Sequence, residues 1–210
     1  MRLHGVHPKG RRGRKIGALN CIHSQCFPMR VVGLDLAGSP KNSTGFCILE
    51  VEGGKTVHTR LIHSDEEILS DVTSADPDLV AVDAPLIYEG VRRNCDDLLR
   101  EYGALPVTLK GMEVLAERGR KIASDLKRLG LDYIEVFPTA SAKILGVYSK
   151  NDFTLQKNMM ALDLKGDLNT KILSRDELDA VLASLTGFLY LQGQSEPVGD
   201  ENGLVHIPLV

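Results

Sequence analysis

Apolar residues follow two patterns along the chain: short unbroken runs, and longer segments in which they recur every three or four positions. The short runs predict buried strands, and the periodic segments predict amphipathic helices. Their order predicts an α/β fold. Strands are expected at 31–37, 44–51, 56–62, 79–82 and 132–138, helices at 65–74, 94–100, 111–129, 139–146 and 175–187, and a terminal hairpin at 198–208.

The first four strands define the expected architecture. Gly53 and Gly54 form a two-residue turn of the kind that joins antiparallel strands, so the first three strands should form a meander. Ser64 and Glu67 then form a capping box at the start of the first helix. Because a helical crossover returns the chain in the original direction, the fourth strand should lie parallel to the first and beside it.

Three acidic residues stand at the ends of predicted strands or inside them: Asp35, Asp83 and Glu135. A buried carboxylate costs free energy unless it is paired or binds a metal. Adjacent parallel strands would place Asp35 and Asp83 at one end of the sheet, where open α/β sheets bind ligands. The structural alternative is that each is a strand-end residue that accepts hydrogen bonds from a neighbouring loop.

The helix predicted at 175–187 adds two more acids. Asp176 and Asp179 share one face, which small residues continue at Ala180, Ala183 and Gly187. This face could approach a sheet closely, and a cation between the helix and the strand carboxylates would relieve the repulsion of like charges. The alternative is a negatively charged first turn that the helix dipole stabilises.

Basic side chains near these acids are candidates for substrate binding. Arg92 and Arg93 precede a helix near the end of the Asp83 strand, where they could contact a phosphate or a neighbouring acid. The stretch 150–173 has the weakest pattern in the chain, and lysines lie in it or shortly before it, at Lys143, 150, 157, 165 and 171. These lysines could form a basic rim for a polyanion, or simply a solvated surface.

Length and composition limit the class of protein. With 210 residues, 43% of them hydrophobic, the chain is expected to form one domain at 29–210 around one substantial core. Its longest apolar helix pattern is too short to cross a membrane, so we expect a soluble protein. The four cysteines include no CxxC pair, and free thiols in a reducing, cytoplasmic compartment are the simplest interpretation.

Residues 1–28 differ from the rest of the chain. They contain six basic residues and no acid, whereas the remainder has 19 basic against 28 acidic residues, a net charge of −9. This composition predicts a disordered basic arm, and a natural start of translation at Met29 is an alternative. Cys21, His23 and Cys26 lack the fourth ligand of a zinc site.

Six short segments carry a family resemblance: GLDLA at 33–37, STG at 43–45, DAPL at 83–86, RNCD at 93–96, EVFP at 135–138 and DELDA at 176–180. In order and spacing they resemble a family of uncharacterised predicted nucleases assigned to the ribonuclease H-like fold. The DELDA helix also resembles the closing helix of Holliday-junction resolvases. From residue 30 onward, the resemblance implies a five-stranded mixed sheet with helices on both faces and an acidic metal site. It implies no particular substrate.

The acidic residues form an all-oxygen ligand set, which suits Mg²⁺ or Mn²⁺ better than zinc. Two such ions about 4 Å apart would activate a water and stabilise the leaving oxygen of a phosphodiester. We expect Asp35 to bridge the ions, Asp83 and Glu135 to complete their shells, and Asp176 and Asp179 to close the site. The sequence thus predicts a two-metal nuclease that acts on DNA or RNA; its oligomeric state is left open.

Three other functions compete with a nuclease. A sugar-kinase-type phosphotransferase opens with a similar strand and Thr-Gly turn but needs two such domains. A non-catalytic nucleic-acid-binding module is disfavoured by the net charge of −9 outside the basic arm. A nucleotide phosphoesterase would use the same ions on a smaller substrate.

Overall fold

A computed structural model describes residues 28–209, and in this range eight strands form one sheet with seven α-helices around it. The predicted basic arm, with Cys21, His23 and Cys26, lies outside the described residues apart from its last position. The strands are β1 (Met29–Asp35), β2 (Thr44–Val51), β3 (Lys55–Ile62), β4 (Leu79–Asp83), β5 (Tyr133–Val136), β6 (Leu164–Gly166), β7 (Ser195–Asp200) and β8 (Gly203–Pro208); the helices are α1 (Asp65–Ala75), α2 (Asn94–Leu98), α3 (Met112–Leu129), α4 (Pro138–Ile144), α5 (Asp152–Met159), α6 (Asp167–Thr170) and α7 (Arg175–Leu191).

The sheet has the order β6-β3-β2-β1-β4-β5-β8-β7. The predicted meander is confirmed, because β1 pairs antiparallel with β2, and β2 with β3. The predicted crossover is confirmed as well, since β4 pairs parallel with β1 and places Asp83 beside Asp35. The Ser64 side chain caps α1 by accepting a hydrogen bond from the Glu67 amide at 3.1 Å.

The prediction of a five-stranded sheet was wrong, because three further strands extend the sheet at its two edges. The short strand β6 pairs with β3 at one edge, and the β8–β7 hairpin pairs with β5 through β8 at the other. The predicted terminal hairpin is therefore present, but it is also part of the sheet. Its docking satisfies the backbone groups of β5, which would otherwise form an unpaired edge.

Helices cover both faces of the sheet. On one face α7 packs against alternate residues of the central strands, such as Val31, Cys47 and Ala81. On the other face α1 and α3 pack against the intervening residues, such as Leu34 and Phe46. This alternation is the two-residue period of a strand buried on both faces.

Helix α7 lies unusually close to the sheet because glycines face it. A Cβ atom on Gly45 would lie 1.9 Å from the Asp176 carbonyl oxygen, and one on Gly33 would lie 2.1 Å from the Ala180 carbonyl oxygen. No side chain fits in either place. The first turn of α7 is consequently held directly over the ends of β1 and β2.

Two observations bear on the class of protein. Cys47 and Cys95 are buried free thiols, as the sequence predicted. Among residues 28–209, no helix combines the length and the apolar character needed to cross a membrane.

Candidate active site

Four aspartates from three elements lie together at one end of the sheet. Asp35 ends β1 and Asp83 ends β4, and the parallel register sets these two residues side by side. Asp176 and Asp179 come from the first turns of α7, which crosses above the same strand ends. All four residues are half-buried.

The start of α7 is fixed by side-chain hydrogen bonds. Ser174 and Glu177 form a capping box, in which the Ser174 amide donates to Glu177 Oε2 at 3.0 Å. The Thr59 hydroxyl of β3 donates to the other oxygen of Glu177 at 2.9 Å. The Ser43 hydroxyl donates to Asp176 Oδ2 at 3.0 Å. These contacts hold the first turn of α7, and with it Asp176 and Asp179, against the sheet.

The four carboxyl groups repel one another. Burial, followed by the charges of Asp179 and Asp176, raises the pKa of Asp35 to about 8. Burial and the neighbouring Asp35 and Asp179 carboxylates raise the pKa of Asp83 well above its usual range. Burial also raises the pKa of Asp179 to about 6, although Arg175 opposes this shift. The site therefore concentrates negative charge that a cation would neutralise.

The side chains of Asp35, Asp83 and Asp179 accept no hydrogen bond from any residue in the described range. A strand-end aspartate with a purely structural role would bind neighbouring amides or hydroxyls. The Thr44 hydroxyl accepts a hydrogen bond from the Ala37 amide at 3.1 Å, and the Ser43 hydroxyl donates to Asp176. This pattern favours a ligand-binding role for the three carboxylates over a structural one.

The donor chemistry fits a hard divalent cation, because it consists of carboxylates alone. Within residues 28–209, however, no group of three or more His, Cys, Asp or Glu side chains is already close enough to hold a metal ion.

Glu135, on β5 beside β4, is engaged in an ion pair with Arg93. Its carboxylate is buried, and it contacts Arg93 Nη2 at 2.9 Å and Nη1 at 3.0 Å. The Leu86 amide donates to the same carboxylate at 2.8 Å. Burial raises the pKa of Glu135, and the Arg93 charge acts against that increase. The structure thus places Glu135 beside Asp83 but engages both of its oxygens.

Arg93 is the centre of this buried network. Besides Glu135, its guanidinium contacts Asp96 Oδ1 at 2.7 Å, and only 4% of its side chain is exposed. Asp96 in turn accepts from the Val107 amide at 3.1 Å. The role predicted for Arg93 in substrate binding is not favoured by this burial, and the network instead fixes the segment that follows β4.

The other two predicted substrate contacts are also engaged. Arg92 is exposed and pairs with Asp97. The Lys143 ammonium donates to the Tyr102 carbonyl at 2.8 Å. Their roles in substrate binding stay predictions.

The sequence reasoning missed Arg175. Its positive charge lowers the pKa of both Asp35 and Asp179, against the larger effect of burial. The guanidinium also binds Asp152 Oδ1 at 2.8 Å and the Ser149 carbonyl at 2.9 Å. Its position directly before the DELDA segment was the available signal, but the direction of its side chain depends on the docking of α5.

Comparison with known proteins gives limited information. No protein family model matches the chain, and no curated protein matches it. Among solved structures, one titled "Thermus thermophilus RuvC structure" is similar, with a TM-score of 0.49 and 15% sequence identity. The match covers 79% of this chain and 97% of that one. A likeness at this level assigns no activity to the chain.

The raised pKa of Asp35 predicts how stability depends on pH. Between the unfolded value of 3.8 and the folded value of about 8, the folded protein binds a proton that the unfolded chain releases. In the presence of EDTA, stability should therefore fall as the pH rises through this range, by at most about 1.4 kcal/mol per pH unit from this group. Asp179, Asp176 and Arg175 are the charges acting on it.

Urea unfolding from pH 4 to pH 8 would measure this effect as the difference between the wild type and Asp35→Asn. As the pH rises, the unfolding free energy of Asp35→Asn should increase relative to that of the wild type. The exposed Asp132→Asn is a matched control and should run parallel to the wild type. A constant difference between the wild type and Asp35→Asn would contradict the raised pKa.

Proposed function

We propose that this protein is a divalent-metal-dependent phosphodiester hydrolase, a nuclease with a ribonuclease H-like fold. The observation that carries this proposal is the convergence of Asp35, Asp83, Asp176 and Asp179 from three elements. Among residues 28–209, none donates a hydrogen bond to the side chain of Asp35, Asp83 or Asp179. Such a set is unfavourable when ionised and empty, and it matches the ligand chemistry of Mg²⁺ or Mn²⁺.

The topology supports the same proposal. The central order β3-β2-β1-β4-β5, with a meander followed by parallel strands, agrees with the sheet that the family resemblance implies. The acids stand at the carboxyl ends of β1 and β4, the edge at which open α/β sheets bind ligands.

In this proposal each residue has a distinct task. Asp35, between Asp83 and the α7 acids, would contribute to both halves of the ligand set. When bound, the ions would supply an activated water and stabilise the leaving oxygen. Arg175 offsets part of the negative charge around Asp35. Glu135 was predicted as a ligand, and we now assign it a positioning role, since it holds the Leu86 amide just beyond Asp83.

The test is a cleavage assay with single-stranded DNA, duplex DNA, branched DNA, RNA and free nucleotides, each with Mn²⁺, Mg²⁺ or EDTA. We expect cleavage that requires a metal and is lost in Asp83→Asn. Asp132→Asn, prepared identically, should retain activity, and the loss of activity in Asp83→Asn alone excludes a contaminating nuclease. Equal activity in EDTA, or in Asp83→Asn, would contradict the proposal; binding without cleavage would favour a non-catalytic module.

A further inference from the structure

A cleft opens directly beside the acidic cluster, and Asp83 lines it. The cavity volume of the cleft is about 80 Å³, and the empty space at the cleft, including the part open to solvent, is about 430 Å³. Asp83, Arg93 and Glu135 lie along one part of its wall. The remaining wall is largely apolar and includes Leu99, Ala104, Leu105, Met112, Leu115 and Phe137.

The mouth of the cleft is apolar and accessible. Leu105 is 55% exposed, and the nearby chain adds Leu109 and Val114, which are 46% and 53% exposed. The loop after β1 reaches the same region, because Gly38 lies against Leu115. The cleft is thus bordered by the segments that follow Asp35 and Asp83, so a ligand at these carboxylates could extend into it.

The charges of this region disfavour a second phosphate in the cleft. Arg93 is the only cation among the residues that line it, and its guanidinium is shared by Glu135 and Asp96. Outside the basic arm, 28 acidic residues outnumber 19 basic ones. The phosphate backbone of an extended polyanion would therefore be attracted only weakly to this region. An uncharged planar group, in contrast, could pack against the apolar wall of the cleft.

We propose that the cleft binds an unpaired nucleobase adjacent to a phosphodiester that metal ions bound by the carboxylates would hold. This inference rests on the proposed function and narrows it, because a base stacked in a duplex could not enter the cleft. The substrate is accordingly a single strand or a free nucleotide, which share the same unpaired base. Selectivity for an unpaired base comes from the apolar wall of the cleft, and phosphodiester hydrolysis takes place at the aspartates.

The variant Ala104→Phe fills the cleft, and Ala161→Phe is its control at an exposed position outside it. With Mn²⁺, the wild type should cleave oligothymidylate with a kcat/KM about tenfold higher than the same strand carrying abasic residues. Ala104→Phe should lose this preference, and Ala161→Phe should retain it. Leu105→Asp changes an exposed position at the rim of the cleft, and it should lose the same preference. This second test does not require the interior of the cleft to repack around a larger side chain.

A binding measurement separates this inference from the proposed function. With Mn²⁺ present, thymidine 5′-monophosphate should raise the melting temperature more than deoxyribose 5-phosphate does, in the wild type but not in Ala104→Phe. Metal-dependent cleavage with equal kcat/KM on normal and abasic strands, or with a preference for duplex DNA, would overturn the inference alone. If the wild type shows neither metal-dependent cleavage nor stabilisation by Mn²⁺, the proposed function is overturned. The comparison of thymidine 5′-monophosphate with deoxyribose 5-phosphate would still test whether the cleft binds a base.

Discussion

Replacing Asp35 with Asn is expected to raise the melting temperature of the metal-free protein and to remove most of the stabilisation that Mn²⁺ gives the wild type. The first effect follows because the substitution removes one of four mutually repelling carboxylates. The second follows because a metal that binds only the folded site stabilises it by mass action. At about a hundredfold excess of Mn²⁺ over its Kd, the wild-type increase should be about 5–10 °C.

The same substitution should abolish phosphodiester hydrolysis. Thermal unfolding with and without millimolar Mn²⁺, followed by a cleavage assay on the same samples, measures all three effects. Asp132→Asn removes an exposed acid and should behave as the wild type does. A structural aspartate predicts the reverse pattern, in which the metal-free variant is less stable and the wild type shows no response to Mn²⁺.

Replacing Arg93 with Met should destabilise the fold by about 3–5 kcal/mol, because it leaves Glu135 and Asp96 buried without their cation. The adjacent Arg92 provides a matched control. Its pair with Asp97 is exposed, so Arg92→Met should leave the unfolding free energy close to that of the wild type. Urea unfolding of both variants at neutral pH measures the contrast between two neighbouring arginines.

A third variant identifies the cause of the loss. Adding Glu135→Gln to Arg93→Met removes one of the two uncompensated charges and should recover part of the lost stability. The contrary result is additivity. If Glu135→Gln lowers the unfolding free energy of Arg93→Met by as much as it lowers that of the wild type, the two side chains are not coupled. Similar losses for Arg92→Met and Arg93→Met would also contradict the buried network.

The same two arginines mark the limit of what the sequence could predict. They are adjacent and chemically identical, and no local pattern distinguishes them. The β7–β8 hairpin docks beside β5, and its Gly203 lies against the Arg93 side chain, with a Cβ there only 3.1 Å from Arg93 Cδ. Burial of Arg93, and hence its pairing with Glu135, depends on this docking between distant segments.

The sequence by itself determined the features that arise from local periodicity and turn chemistry. These are the meander of β1, β2 and β3, the capped helix α1, the parallel return of β4, and the helix α7 with its acidic first turn. Each follows from apolar spacing, a glycine turn or a capping residue, which act within a few positions along the chain. The register of β1 and β4 then sets Asp35 beside Asp83.

Only the tertiary structure decided which side chains meet. It added β6 and the β7–β8 hairpin to the sheet edges, engaged Glu135 with Arg93, and engaged Arg175 with Asp152 of α5. It also brought α7 so close to β2 that Gly45 admits no Cβ. These contacts join segments far apart in sequence, and their geometry is set by the packing of whole elements rather than by any local pattern.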